Sequence, residues 1–484
     1  MTQDAAAADL TPAGNLRLAA ARGLTQVVKH NKTLEWIRIN RPQWLQTPLQ
    51  RELLYGTTRH YLSLSQSVNE QLKRPLKSKD LDLHHLLIVG AYQLKYTDLA
   101  SYAAINECVS ACQALGKTWA KGLINGVLRS IQRQLESADQ TGQGVDTAQA
   151  DHPAWMTAVL TRQYGAQATE LMQANNDRAP MTLRINTQAI DCEAYKEQLN
   201  TADIAFDSGP WPETVILHQP QTAADLPGWD QGQCAVQDLS AQHAARLLLE
   251  PLRQSQDSGL AQAPNPDAPL RILDACAAPG GKFFHLHEVL NRYRLPHHLW
   301  ALDNNNRRLA DLQAIGERLG HQVSTTEQDL SPDGQSETAL EVDGALSLLC
   351  ADGADQSLPF DERFDAILLD APCSGSGTIR RNPDIRLLLE EQHLMTQQQL
   401  QLALLHNLWQ QLKPGGSLLY STCSVFAEEN DQVIHRFLGN TPSARVQPLD
   451  LAFGQSTKAG WQLLPTQPAT DGFYYSLLRK DPSP

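Results

Sequence analysis

Asp274-Ala275-Cys276-Ala277-Ala278-Pro279-Gly280-Gly281-Lys282 follows the apolar run Leu270-Arg271-Ile272-Leu273 and precedes residues 283–290, whose pattern predicts a helix. A short buried strand, a tight turn of small residues and a helix N-terminus together make a nucleotide-cofactor site. Glycines remove the Cβ atoms that would keep a ligand away from the backbone N–H groups, and the helix dipole faces the ligand. The spacing is not GxGxxG, and Phe283 after Lys282 denies the loop the GK[ST] end of a phosphate clamp. The loop suits S-adenosylmethionine (SAM), whose amino-acid end is charged but carries no phosphate. A plain strand-to-helix turn would need glycine, but not the whole string.

Beyond residue 270, apolar strands alternate with helical patterns, which predicts a mostly parallel sheet covered on both faces. Acids recur at the strand ends. Leu299-Trp300-Ala301-Leu302-Asp303 carries a carboxylate 22 residues after Gly281, the spacing of a ribose-hydroxyl acceptor. A third strand ends at Asp352, placed for an adenine amino group, and a fourth at Asp370. A single such Asp is an ordinary helix cap. Three in succession beside the 276–282 loop point to a cofactor crevice.

Two turns at strand ends hold cysteines, Pro372-Cys373-Ser374-Gly375 and Thr422-Cys423-Ser424. A free intracellular thiol is usually inert and buried, the reading that fits Cys108 and Cys112 and is open to Cys276 and Cys350. Packing demands no thiol in these two turns. Methyl transfer to nitrogen or oxygen needs none either, but transfer to carbon 5 of a pyrimidine does. That carbon is inert until a thiolate adds at carbon 6; loss of the carbon-5 proton then expels the enzyme. Two thiols suit one attacker and one group that assists release, in either order.

The 484 residues exceed one hydrophobic core, so several domains are expected. Residues 1–135 carry 17 Lys and Arg against 9 Asp and Glu, whereas the remainder carries 23 against 44, within a total charge of −13. A basic helical head on an acidic body points to a polyanionic partner for the head. The eight cysteines form no Cys-x-x-Cys pair, which argues against zinc and disulfides and for a reducing cytoplasm. No apolar run reaches the ~20 residues of a membrane span, and the N-terminus lacks a signal-peptide pattern.

The strings 274–282, 370–384 and 415–425 resemble motifs of the Sun-type RNA cytosine-C5 methyltransferases. Gln237-Asp238-Leu239-Ser240-Ala241-Gln242, Leu464-Pro465 and Asp471-Gly472-Phe473-Tyr474 match that pattern too. The helical head resembles the NusB-like RNA-binding domain of the branch that acts on small-subunit (16S) ribosomal RNA. The resemblance implies an all-α NusB-like head over residues 10–137, a small α+β connector over 150–235, and an α/β Rossmann-like SAM-dependent methyltransferase domain over 236–484. It implies Cys276, Ala277, Ala278, Pro279, Gly280, Gly281 and Lys282 at the methionine part of SAM, Asp303 at the ribose and Asp352 at the adenine. Asp370 would lie between cofactor and flipped cytosine. In this family the attacking thiol stands in the Thr-Cys motif, hence Cys423, and Cys373 assists release.

Departures are Phe283 and Phe284 where two threonines are usual, Ser376 for Thr, and a longer stretch at 328–346. Arg380 and Arg381 are candidate phosphate or base contacts, against a solvated pair at a helix start. The expected partner is ribosomal RNA, free or in an early assembly intermediate, with no metal, no membrane and a monomeric cytoplasmic protein. A tRNA methyltransferase and a non-enzymatic antitermination module are the alternatives. Intact Cys373, Cys423 and the cofactor loop argue against the second.

Overall fold

The computed structural model describes residues 12–141, 150–257, 269–325, 345–355, 358–360, 362–467 and 469–482. Two units result: Met1–Arg178 with Ile379–Glu391, and Ala179–Thr378 with Gln392–Pro484.

The first unit is helical among its described residues. In the helix Leu81–Tyr96 every residue from Leu83 to Gln93 is buried, as expected of a helix apolar all round at the centre of a bundle. Helices Pro12–His30, Pro48–Arg59, Ser101–Ala114 and Lys121–Thr141 pack on it, with Leu24, Leu54, Leu87 and Leu128 in the shared core. Pro48–Arg59 starts where Thr47 and Gln50 exchange side-chain and backbone hydrogen bonds and Pro48 takes the first turn. The polar, glycine-containing 137–144 sequence reads as a linker, yet the helix Lys121–Thr141 runs into it. Ala138 and Gln140 favour helix, and the first breaker is Gly142; residues 142–144 lie outside the described residues.

Helices Ala154–Tyr164 and Gln167–Ala174, parted at Gly165, belong to this unit as well. So does Ile379–Glu391, a piece of chain from the middle of the sequence. Its short helix Ile385–Leu388 packs Leu387 and Leu388 against the helical core. Arg386 is buried and donates to the carbonyls of Arg59 (3.0 Å), Asp151 (3.1 Å) and Asn175 (2.9 Å) and to Asn176 Oδ1 (2.6 Å). Burial lowers its pKa to about 9. Arg380 is buried too, and its carbonyl accepts from Arg59 Nη2 at 2.9 Å, so the 380–381 pair is not simply solvated.

The second unit holds two sheets. β1 (Met181–Ile185), β2 (Phe206–Ser208), β3 (Thr214–Leu217) and β4 (Cys234–Val236) form an antiparallel sheet in the order β2-β3-β1-β4. It shares a core with Tyr195 and Leu199 of the helix Cys192–Thr201. Helix Leu239–Asp257 follows, with Pro251 inside it, and runs into the polar Gln254–Pro269 stretch, whose low-complexity composition reads as a linker; no Gly or Pro stands between residue 254 and Gly259; residues 258–268 lie outside the described residues.

The larger sheet contains β5 (Leu270–Ala275), β6 (His297–Asp303), β7 (Ser324–Thr325), β8 (Leu346–Cys350), β9 (Phe364–Asp370), β10 (Leu412–Thr422), β11 (Ala444–Gln447), β12 (Gln455–Ser456), β13 (Trp461–Leu463) and β14 (Phe473–Lys480). The order is β12-β13-β14-β10-β9-β5-β6-β8-β7, with β11 also on β14. From β10 to β7 every pairing is parallel; β11 to β14 pair antiparallel. Strand residues alternate between two cores: Ile272, Leu299 and Leu368 enter one, Leu273, Trp300 and Ile367 the other. Burial on both faces is why these strands read as continuous apolar runs. The 328–346 stretch lies outside the described residues up to residue 344.

Because β6 lies on one side of β5 and β9 on the other, the strand order reverses at β5. The crevice at such a switch point, outside the carboxyl ends of the strands, is where open α/β sheets bind ligands.

Candidate active site

The loop after β5 turns on two positions. Cys276 has φ +63° and Gly280 φ +103°. A Cβ at Gly280 would stand 2.8 Å from Leu312 Cγ and 2.9 Å from the Phe284 ring, so only glycine fits there. Gly281 opens the helix Gly281–Arg292. Phe283 and Phe284 are fully buried, edge to face with centroids 5.2 Å apart, and Phe284 stacks on His321. They serve the core under the loop.

Asp303, at the end of β6, is 2% exposed and accepts from Ala278 N (3.3 Å) and Asn305 N (3.1 Å). Arg308 pairs with it at 3.3 Å and also donates to the Ala278 carbonyl at 2.5 Å. The carboxylate therefore braces the loop. Cys276, Leu302, Asp303, Arg308, Asp352, Leu400 and Leu404 line one cavity of about 120 Å³. Carboxylates for hydroxyl and amino donors beside leucine side chains for a flat base are the donor set a nucleoside needs, so these residues fit the adenosine half of SAM. Burial, then Asp370, pushes the Cys276 thiol up to about 12, which keeps it protonated and inert.

Lys282 leaves the loop in another direction. Its ammonium meets Asp370 Oδ2 at 2.7 Å and lies 4.9 Å from the Phe473 ring centroid. Burial opposes the Lys282 charge, but attraction and hydrogen bonding from Asp370, with Cys423 and Asp274 adding to them, raise its pKa above the ordinary value. Asp370 Oδ1 accepts from Ser421 Oγ at 2.8 Å, because β9 and β10 pair these two residues in register.

The two turn cysteines meet. Cys373 Sγ and Cys423 Sγ stand 3.4 Å apart. The hydrogen bond to Cys423 and then burial raise the Cys373 pKa well above the usual thiol value, with Glu429 contributing. Cys373 thus keeps its proton. Gly377 N donates to the Cys423 carbonyl at 2.9 Å and Gly472 N to the Gly377 carbonyl at 2.8 Å. A Cβ on Gly377 would stand 2.0 Å from the Gly472 carbonyl oxygen, so this backbone contact explains the Asp471-Gly472-Phe473 string.

Two supporting residues, Arg184 and Glu429, escape sequence reading, and a third, Asp274, stands in the 274–282 string with no role assigned to it there. Arg184 of β1, 1% exposed, makes two bonds to Glu288 (2.9 and 2.8 Å) and donates to the Gly281 carbonyl (2.7 Å) and to Gln237 Oε1. It ties the small sheet to the start of the loop helix. Asp274 is fully buried, neither carboxyl oxygen has a hydrogen-bond partner among the described residues, and desolvation, then Asp370, raises its pKa well above the ordinary aspartate value. Glu429 accepts from Ser374 N, Ser374 Oγ and Ser424 Oγ. Glu288 lies 104 residues from Arg184 and Ser374 lies 55 from Glu429, so no local motif shows these pairings. Among the described residues no helix is long and apolar enough to cross a membrane.

Comparison with known proteins follows the same divisions. The NusB family matches residues 15–133, a "Methyltr_RsmF/B-like, ferredoxin-like domain" residues 152–224, and "16S rRNA methyltransferase RsmB/F" residues 261–479. The "Ribosomal RNA small subunit methyltransferase B" of Klebsiella pneumoniae (strain 342) is 35% identical, covering 96% of this chain and 98% of its own. That of Vibrio cholerae is also 35% identical, with 96% and 98% covered. Among solved structures, PH0851 aligns with TM-score 0.72 at 22% identity over 98% of this chain and all of its own. NSun6 from Pyrococcus horikoshii with SFG aligns with TM-score 0.55 at 17% identity over 68% and 99%. These two likenesses show the fold. The full-length relatives go further: this chain belongs to the RsmB/F family of 16S rRNA methyltransferases.

Proposed function

We propose that this protein methylates carbon 5 of a cytosine in 16S ribosomal RNA, with SAM as methyl donor and a covalent bond from Cys423 to carbon 6. The observation that carries this reading is the 3.4 Å pair of Cys373 and Cys423 next to the Lys282–Asp370 ion pair. A methyl transfer to nitrogen or oxygen has no use for two adjoining thiols.

Bound at residues 276–281, Asp303 and Asp352, SAM would supply an electrophilic methyl group; the remaining steps belong to the chain. Cys423 adds to carbon 6 and makes carbon 5 nucleophilic. Asp370 and Lys282 offer an acceptor and a donor to the polar edge of the base. After methyl transfer carbon 5 gives its proton to solvent water, the electron pair of that C–H bond restores the ring double bond, and the carbon–sulfur bond breaks. Cys423 leaves as a thiolate, which the protonated Cys373 stabilises by hydrogen bonding. The target must leave its stack, at a cost of roughly a few kcal/mol that phosphate contacts elsewhere offset. We assign those contacts to the basic head over residues 10–137 and the connector over 150–235, with the catalytic domain over 236–484. The protein acts as a cytoplasmic monomer on free rRNA or an early assembly intermediate.

Bisulfite sequencing of RNA from cells with and without the protein tests the substrate. Loss of a 5-methylcytosine from 16S rRNA is expected; loss confined to tRNA would overturn the assignment.

A further inference from the structure

We infer that Glu429 is a positioning residue that clamps the two thiol-bearing turns together and holds Cys373 against Cys423; the catalytic meaning of that contact rests on the reading above. Glu429 is fully buried just ahead of the helix Asp431–Asn440. Its Oε1 accepts the Ser374 backbone N–H at 2.7 Å, and its Oε2 accepts the Ser374 hydroxyl at 2.6 Å and the Ser424 hydroxyl at 2.5 Å. Ser374 follows Cys373 and Ser424 follows Cys423, so one carboxylate grips the residue next to each thiol. Its own carbonyl accepts the Tyr420 hydroxyl at 2.6 Å, which fixes the clamp to β10.

The chemistry of the three donors selects a carboxylate. An ionised carboxylate only accepts, and both of its oxygens can take hydrogen bonds at once. A glutamine with its oxygen at the Oε2 position would keep the two hydroxyls but turn an NH₂ toward the Ser374 N–H, donor against donor. The turn carrying Cys373 would have to move.

The other turn has its own support. Thr422 Oγ1 donates to Asn430 Oδ1 at 2.6 Å, and Asn430 Nδ2 donates to the Ser424 carbonyl at 3.0 Å. Cys423 is thereby held on both flanks by Asn430 as well, through bonds that a change at Glu429 does not remove. Weakening Glu429 displaces Cys373 and spares Cys423. A residue important only for folding would have no reason to separate the two thiols in this way.

The test is Glu429→Gln, read by two assays in the full-length protein. Diamide, which takes up two thiol hydrogens as it joins two cysteines, measures the rate of Cys373–Cys423 cross-linking by peptide mass mapping. Denaturing electrophoresis with rRNA and SAM measures the covalent adduct. We expect cross-linking to slow by roughly tenfold or more, the factor that loss of one hydrogen bond to a charged group brings. The adduct should accumulate while SAM affinity stays within about twofold of wild type, which certifies the fold. Cross-linking at the wild-type rate overturns the clamp. If Glu429→Gln fails to fold, Ser374→Ala removes one hydroxyl donor and carries the same expectation in milder form. Slowed cross-linking with no RNA adduct in any variant, Cys373→Ala included, supports the clamp and refutes the covalent reading instead.

Discussion

Replacing Asp303 by alanine should weaken SAM binding and loosen the loop that receives it, and the structure allows the two effects to be separated. The carboxylate is 1% exposed and accepts two backbone N–H groups, of Ala278 and Asn305. Leaving the buried Ala278 N–H unpaired costs about 1–3 kcal/mol of folding stability. The ion pair with Arg308 adds little, because the Arg308 side chain is 50% exposed and such pairs are worth about 0–1 kcal/mol. For the ligand, losing ribose hydrogen bonds to a charged acceptor costs about 1.5–3 kcal/mol, or roughly 10- to 150-fold in Kd. Arg308→Ala should change the Kd by less than roughly tenfold. Isothermal titration gives the affinity and urea unfolding the stability. A folded Asp303→Ala protein that binds SAM with unchanged affinity would remove Asp303 from the cofactor site and leave it only as a brace.

Two further outcomes follow from charge. Lys73, Arg74, Lys77 and Lys79 are exposed on the head; if they meet phosphates, replacing all four by alanine should flatten the slope of log K for rRNA against log salt by up to roughly 3–4, at about 0.7–0.9 per lost contact. An unchanged slope across a salt series would move the RNA surface elsewhere. Stability should also fall with acid. Burial, then His297 and His321, lowers the His287 pKa to about 3, and burial, then Arg246, lowers His243 to about 4. The unfolded chain takes up these protons near the ordinary histidine value of 6.5 while the fold refuses them. The stability they guard is complete above pH 6.5 and is lost as pH falls toward 3–4, at about 1.4 kcal/mol per pH unit for each histidine. Urea titrations of His287→Gln should show a shallower pH slope than wild type, and an identical slope would refute the assignment.

The parallel core was legible because its strands are buried on both faces, so Leu270–Ala275 and Phe364–Asp370 announce themselves as apolar runs with an acid at or near the end. The helical head was legible from the 3.6-residue spacing of its leucines. The antiparallel edge was not: β12 and β13 have two and three residues, too short for any periodicity. Nor was the passage of Ile379–Glu391 into the first unit, which depends on Arg386 finding carbonyls more than two hundred residues away. At the site, local strings carried the cofactor loop and the two thiols. Their supports lay elsewhere: Arg184 bonds Glu288 across 104 residues, and Glu429 bonds Ser374 across 55. Lys282 showed the same limit from within a motif, since only the folded chain reveals that its ammonium faces Asp370.

The most direct test of the mechanism is covalent trapping of rRNA by the two cysteine variants, read by denaturing electrophoresis in the presence of SAM. Cys373→Ala should still attack and methylate but release slowly, and therefore retain a protein–RNA adduct. Cys423→Ala should form no adduct and no 5-methylcytosine. An adduct that disappears with Cys373→Ala and accumulates with Cys423→Ala would contradict the assignment of the attacking thiol, and methylation by both variants without any adduct would contradict the covalent route itself.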